Sequence, residues 1–278
     1  MKLHQIHIRD PFALFEDGKY YLYGTRGEGC WDHCSGFDVY VSTDLEDWSD
    51  PISVFEKQAD FWADRQFWAP EVHRYQGKYY MFASFKAEGR RRATHILVSD
   101  LPTGPFVPLM PEPITPKDWE CLDGTLYIDR QGRPYIVFCH EWVQVADGEM
   151  VAMALTEDLR YPAGEPKVLF RASEPSWATG DGQGNYITDG PYLHRGDDGR
   201  LHMIWSTDCD GKYVVAWAAS DNDEIDGNWI HGDTFLYSGD GGHGMLFRDG
   251  NGGLKMAIHA PNLSPHERPI FLDRGTVF

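Results

Sequence analysis

The sequence predicts an all-β fold, a five-bladed β-propeller. Three observations predict it: a unit that recurs five times, a spacing between copies that suits a blade of about four short strands, and a lack of long amphipathic helical windows. The copies read DPFALFEDGKYYLYGT from Asp10, APEVHRYQGKYYMFAS from Ala69, DGTLYIDRQGRPYIVFC from Asp123, DGPYLHRGDDGRLHMIWS from Asp189 and HGMLFRDGNGGLKMAIH from His243.

Each copy opens as a short apolar strand and reaches a turn glycine: Gly18, Gly77, Gly132, Gly199 or Gly252. These glycines lie 53–67 residues apart, too far for a helical or leucine-rich repeat. A second strand follows each turn, marked by aromatic runs such as Tyr20–Tyr23 and Tyr79–Phe82. The outer half of each blade repeats too. STDLEDW, SDLPTGPF, TEDLRYP and SDNDEIDGNW each place a Ser or Thr and an Asp at a tight turn, where their oxygens bond local backbone N–H groups. A β-sandwich has similar strand content but does not need five copies of one unit. The 278 residues hold no low-complexity linker, so residues 1–278 read as a single propeller domain. Blade five is short before the C-terminus, which predicts that a strand from one terminus completes a blade at the other.

Composition narrows the function. A net charge of −18 and no basic stripe argue against a nucleic-acid partner. The one basic run, Arg90–Arg92, reads as a solvated turn. No apolar segment is long enough to span a membrane, so no membrane partner is expected. The opening MKLHQIH carries no secretory signal, and the expected location is cytoplasmic. Five scattered cysteines do not make a disulfide framework, and Cys30, His33 and Cys34 lack the second pair that a zinc site needs.

In a propeller the innermost strands start together at one end of the axis. Taking the first residue of each copy as equivalent, Asp10, Ala69, Asp123, Asp189 and His243 converge there. Three carboxylates at one mouth raise each other's pKa. One can hold a proton for a leaving oxygen while another takes a proton from water, which is the minimum apparatus for glycoside hydrolysis. Sugar rings also need flat apolar faces, and Trp68, Trp142 and Trp205 lie in or beside the repeated units.

These segments together resemble glycoside hydrolase family 43, five-bladed propellers that cleave arabinofuranosyl and xylosyl linkages with inversion. The resemblance rests on IRDPFALFEDGKYYLYGT, FWAPEVHRYQGKYYMFAS, LDGTLYIDRQGRPYIVF and GGHGMLF, and covers essentially the whole chain. It implies Asp10 as general base, Trp68, Ala69 and Pro70 along the sugar site, Asp123 as the group tuning the acid, and His243 near the axis beside a structural calcium. No cofactor is expected to be required, and the expected partner is an oligosaccharide or glycoside substrate. The family's acid is a Glu before Gly-Pro; here Asp189 precedes Gly190-Pro191. Three readings stay open: Asp189 is the acid, Glu141 in CHEW supplies the proton, or the acid is lost and the protein only binds glycans. His259 and Arg268 are further candidates for the edge of the site. A related propeller group that cleaves fructosides shares the triplet Arg9-Asp10-Pro11, but there it follows a nucleophile motif.

Overall fold

The computed structural model describes residues 1–275; the last three residues of the expected span lie outside them. Five antiparallel sheets surround an axis, four with four strands and one with three, each a meander in chain order. Blade 1 comprises Ile8–Glu16, Lys19–Arg26, Gly36–Ser42 and Ile52–Glu56, and blade 2 begins with Arg65–Tyr75 and Lys78–Lys86. Blade 3 begins with Cys121–Ile128 and Pro134–His140, blade 4 with Asp189–Arg195, Leu201–Cys209 and Lys212–Ser220. Blade 5 is Gly242–Arg248, Leu254–Ala260 and Arg268–Arg274.

The turn chemistry follows the residues. All five turn glycines adopt φ between 73° and 83°, and an added Cβ there would touch nothing, so the left-handed backbone alone requires glycine. In the outer turn of blade 1, Asp44 Oδ1 accepts the N–H groups of Glu46 and Asp47 at 2.9 and 2.8 Å. The equivalent Leu45 and Leu159 both sit at positive φ. The core lies between blades. Phe37, Phe55, Phe61, Phe67 and Phe85 pack edge to face or tilted between blades 1 and 2, contacts worth about 0.5–1.5 kcal/mol each beyond their buried area. Trp205 is fully buried against Phe170 and Trp177, so it is core and not a sugar platform.

The expected strand exchange at the ring's joint does not occur among the described residues: blade 5 keeps three strands. The N-terminus instead pairs with an outer turn of its own blade, where Trp48 N–H donates to Met1 O at 2.8 Å. The innermost strand of blade 1 packs directly on the strands of blade 5. Side chains complete the joint: Arg9 reaches Glu267 and Asn262, and Gly250 N–H donates to the Tyr20 hydroxyl at 2.7 Å.

Candidate active site

Every innermost strand carries a β-bulge where it meets the axis, between Arg9 and Phe12 in blade 1, Trp68 and Glu71 in blade 2, Asp189 and Tyr192 in blade 4, and Gly242 and Met245 in blade 5. Blade 3 has the same shift opposite Val137–Cys139. The bulged residues Asp10, Ala69, Asp123, Gly190 and His243 share φ of 49–54°. The bulge re-aims their side chains along the axis. A left-handed non-glycine residue costs roughly 1–2 kcal/mol, and the preceding blade helps hold it. Ala69 N–H donates to Thr25 Oγ1 (2.8 Å), Asp123 N–H to Ser84 Oγ (2.8 Å), His243 N–H to Ser206 Oγ (2.8 Å) and Asp10 N–H to His259 Nδ1 (3.1 Å). In blade 3 the equivalent acceptor position is Cys139, and Gly190 N–H turns instead to Asp123 Oδ2 at 3.0 Å.

This register corrects one expectation. Asp189 is not equivalent to Asp10: it pairs with Ser206 as Arg9 pairs with Thr25, one residue earlier, and Gly190 takes the axial place. The glycine is needed there, because a Cβ would lie 2.9 Å from the His243 ring. Asp189 therefore stands on the wall of the cavity, where Tyr213 OH donates to its Oδ2 at 3.0 Å. The signal was available, since Pro191 aligns with Pro11 and Pro70.

Asp10, Asp123 and Asp189 line one cavity of about 300 Å³. Their surroundings push them apart electrostatically. Burial works against charge on Asp10, yet His243, Arg9 and the Thr25 hydroxyl act the other way and its pKa stays below the usual carboxylate value. The Thr25 hydroxyl donates to its Oδ2 at 2.5 Å, and His243 Nδ1 lies 3.4 Å from its Oδ1. Burial pushes Asp189 well above that value, and the neighbouring Asp123 adds to the rise. Asp123 is itself raised well above it, by burial and then by Asp10. One carboxyl group is poised to lose its proton and another to keep it.

The walls add residues that sequence reasoning missed. Trp31, from the insert at 27–36, meets Trp68 edge-on at 5.3 Å between ring centroids. Arg92 is buried, not solvated: its guanidinium stacks 3.8 Å over Trp68, and its Nε donates to Glu141 at 3.2 Å. Glu141 precedes the one-turn helix Trp142–Val145, and both Glu141 and Trp142 line the cavity. Glu141 is thus paired with a guanidinium at the wall of the cavity. Ala69 is buried at the axis and contributes backbone only.

Two candidates for the edge of the site are placed elsewhere. His259 is fully buried and bonds the backbone of Asp10. Arg268 turns to the carbonyls of Pro265 and Glu267, and the HERP segment contributes Glu267 to the joint with blade 1. For calcium, His243 Nε2 is buried without a hydrogen-bond partner, but it is one nitrogen. Among the described residues no group of three His, Cys, Asp or Glu side chains gathers to hold a metal. Calcium prefers six to eight oxygens, so these side chains alone do not fit it.

Two carboxyl groups of opposite tendency in a small aromatic-walled pocket on a five-bladed propeller define a glycoside hydrolase. Residues 4–276 match the sequence profile of the glycosyl hydrolases of family 43, and the chain belongs to that family. It is 26% identical over 248 residues to a xylosidase/arabinosidase of Bacteroides ovatus, covering 77% of this chain and 71% of that protein. It is 24% identical over 225 residues to an extracellular exo-alpha-(1->5)-L-arabinofuranosidase of Cellvibrio japonicus, covering 74% and 60%. The crystal structure of an endo-arabinase from Bacteroides thetaiotaomicron superposes with a TM-score of 0.91 at 41% identity, covering 99% of this chain and 96% of that one.

Proposed function

We propose that the protein is an inverting, exo-acting glycosidase that removes terminal α-L-arabinofuranosyl or β-D-xylosyl residues from plant-type oligosaccharides. The observation that carries this reading is that one cavity is lined by Asp10, whose surroundings favour its charged form, and by Asp189, whose surroundings favour its neutral form. Asp10 takes a proton from the water that attacks the anomeric carbon. Asp189 gives its proton to the departing glycosidic oxygen. Asp123 orients the acid, because its Oδ2 accepts the N–H of the next residue, Gly190, and its field raises the pKa of Asp189.

The names of the relatives support an arabinosyl or xylosyl substrate. Exo action is supported by the cavity's size, about 300 Å³, at the small end of ligand pockets, with Trp31 and the Trp142 helix at its walls. The test is hydrolysis of linear arabino- and xylo-oligosaccharides, with early products resolved by chromatography and the released anomer by proton NMR. Free pentose as the first product, with inverted configuration, is expected. A ladder of internal fragments sinks exo action, and a retained anomer sinks the assignment of Asp10 as base.

A further inference from the structure

Behind the axis, the donors and acceptors around Asp10 can be read in only one direction. Glu267, whose side chain is fully buried, binds Arg9 Nη1 at 2.8 Å. Arg9 Nη2 lies 2.7 Å from an Asn262 side-chain atom, and a guanidinium only donates, so that atom is the amide oxygen. The same oxygen lies 3.3 Å from His259 Nε2 and so must receive that nitrogen's proton. His259 Nδ1 is then left with a lone pair, and the Asp10 N–H, which can only donate, points at it from 3.1 Å. Burial agrees with a neutral ring, since it pushes His259 down to about 4.

We infer that His259 is a positioning residue for the catalytic base: its Nδ1, kept as an acceptor by Asn262 and Arg9, holds Asp10 in the left-handed bulge that aims the carboxylate into the cavity. Three other axial residues, Ala69, Asp123 and His243, are held by short hydroxyl side chains. Only Asp10 among these four is held by an imidazole, and only here does the tether continue across the joint between the last and first blades. The residues it links, Arg9 and Glu267, are 258 positions apart. The inference rests on Asp10 being the base.

The two ring nitrogens can be mimicked separately. An Asn side chain places its oxygen near the Nδ1 position, whereas a Gln places its amide near Nε2. In His259→Gln the bond to Asn262 survives and the one to Asp10 is lost. Turnover is expected to fall about 100-fold with KM little changed, the effect of a misaimed reacting group. His259→Asn restores the acceptor and is expected to recover most of that loss, although it leaves a comparable void. Equal turnover in the Asn and Gln variants overturns the inference, as does a loss that follows thermal stability alone. Asn262→Ala, in a partly exposed turn, carries the test if both His259 variants fail to fold; it should lower kcat about 10-fold by freeing the ring's tautomer, and wild-type kcat overturns the tether. Asp10→Asn, measured alongside, separates the two failures: if it keeps wild-type turnover, the base assignment has failed; if it is dead while the Gln and Asn variants match, only the tether has.

Discussion

Blades 1 and 4 carry nearly the same words at the bulge of their innermost strands, Arg-Asp-Pro and Asp-Gly-Pro, and place their carboxyl groups in opposite surroundings. In blade 1 the aspartate is the bulged residue. It lies on the axis beside His243, its side chain accepts a hydrogen bond from the Thr25 hydroxyl, and its charge is favoured. In blade 4 the bulge falls on glycine, and the aspartate sits one residue earlier, on the wall. It meets Tyr213 and the field of Asp123, and its neutral form is favoured. A shift of one position against the bulge thus separates a carboxyl group favoured in its charged form from one favoured in its neutral form without changing residue type. The backbone decides which environment a carboxylate enters, and the environment decides its protonation.

The largest break in this contrast is Asp10→Asn. It should lower kcat about 10³-fold or more on every substrate while the far-ultraviolet circular dichroism stays that of the wild type. Asp189→Ala comes next. On natural oligosaccharides it should cost about 10²-fold or more, but less than about 10-fold on aryl glycosides whose leaving group needs no proton. Equal losses on both substrate classes would remove Asp189 from the acid role. Glu141→Ala is the companion measurement, and a loss confined to natural substrates there would move the acid to Glu141.

Tyr213→Phe sharpens the comparison. The Tyr213 hydroxyl favours the ionised form of Asp189, so its loss raises the acid's pKa. The basic limb of the kcat profile should move up by about one pH unit, and the acidic limb, set by Asp10, should stay. A shift downward contradicts the assignment. The smallest effect is on stability. Asp123 has a folded pKa above its unfolded value of about 3.9. Below that pH both states are protonated and the group costs nothing. As pH rises toward the folded pKa only the unfolded state ionises freely, so stability is lost. Asp123→Asn should therefore raise the melting temperature at pH 7 by about 2 °C or more, with the gain vanishing near pH 4. An equal gain at both pH values would mean packing, not charge, is responsible.

The features that local chemistry dictates were legible. Five turn glycines at left-handed φ fix five hairpins, and the residues that open four of the five copies, Asp10, Ala69, Asp123 and His243, are the axial ones. The fourth copy is out of step by one residue, since Gly190 and not Asp189 is the counterpart of Asp10, and strand periodicity is blind to a bulge. Arg92 read as surface because charged runs usually are. Its burial depends on Glu141, Gln66 and Trp68, which come from two other stretches of the chain. Tyr213 and Trp31 enter from a hairpin and an insert that carry no motif. His259 is legible as a candidate, but its direction is not, since inward and axial look alike in a strand.

The joint between the last and first blades has a consequence for how the ring opens. Glu267 and Asn262 of blade 5 bind Arg9 of blade 1 across 258 and 253 positions of chain, and with His259 they surround the backbone of Asp10. A ring parted at this joint keeps four finished blades, with Asp10, Asp123 and Asp189 all present, and yet leaves Asp10 without its partner from blade 5. Mild denaturant should then abolish turnover before it melts the sheets, and the cavity is in effect a sensor of whether the ring is shut.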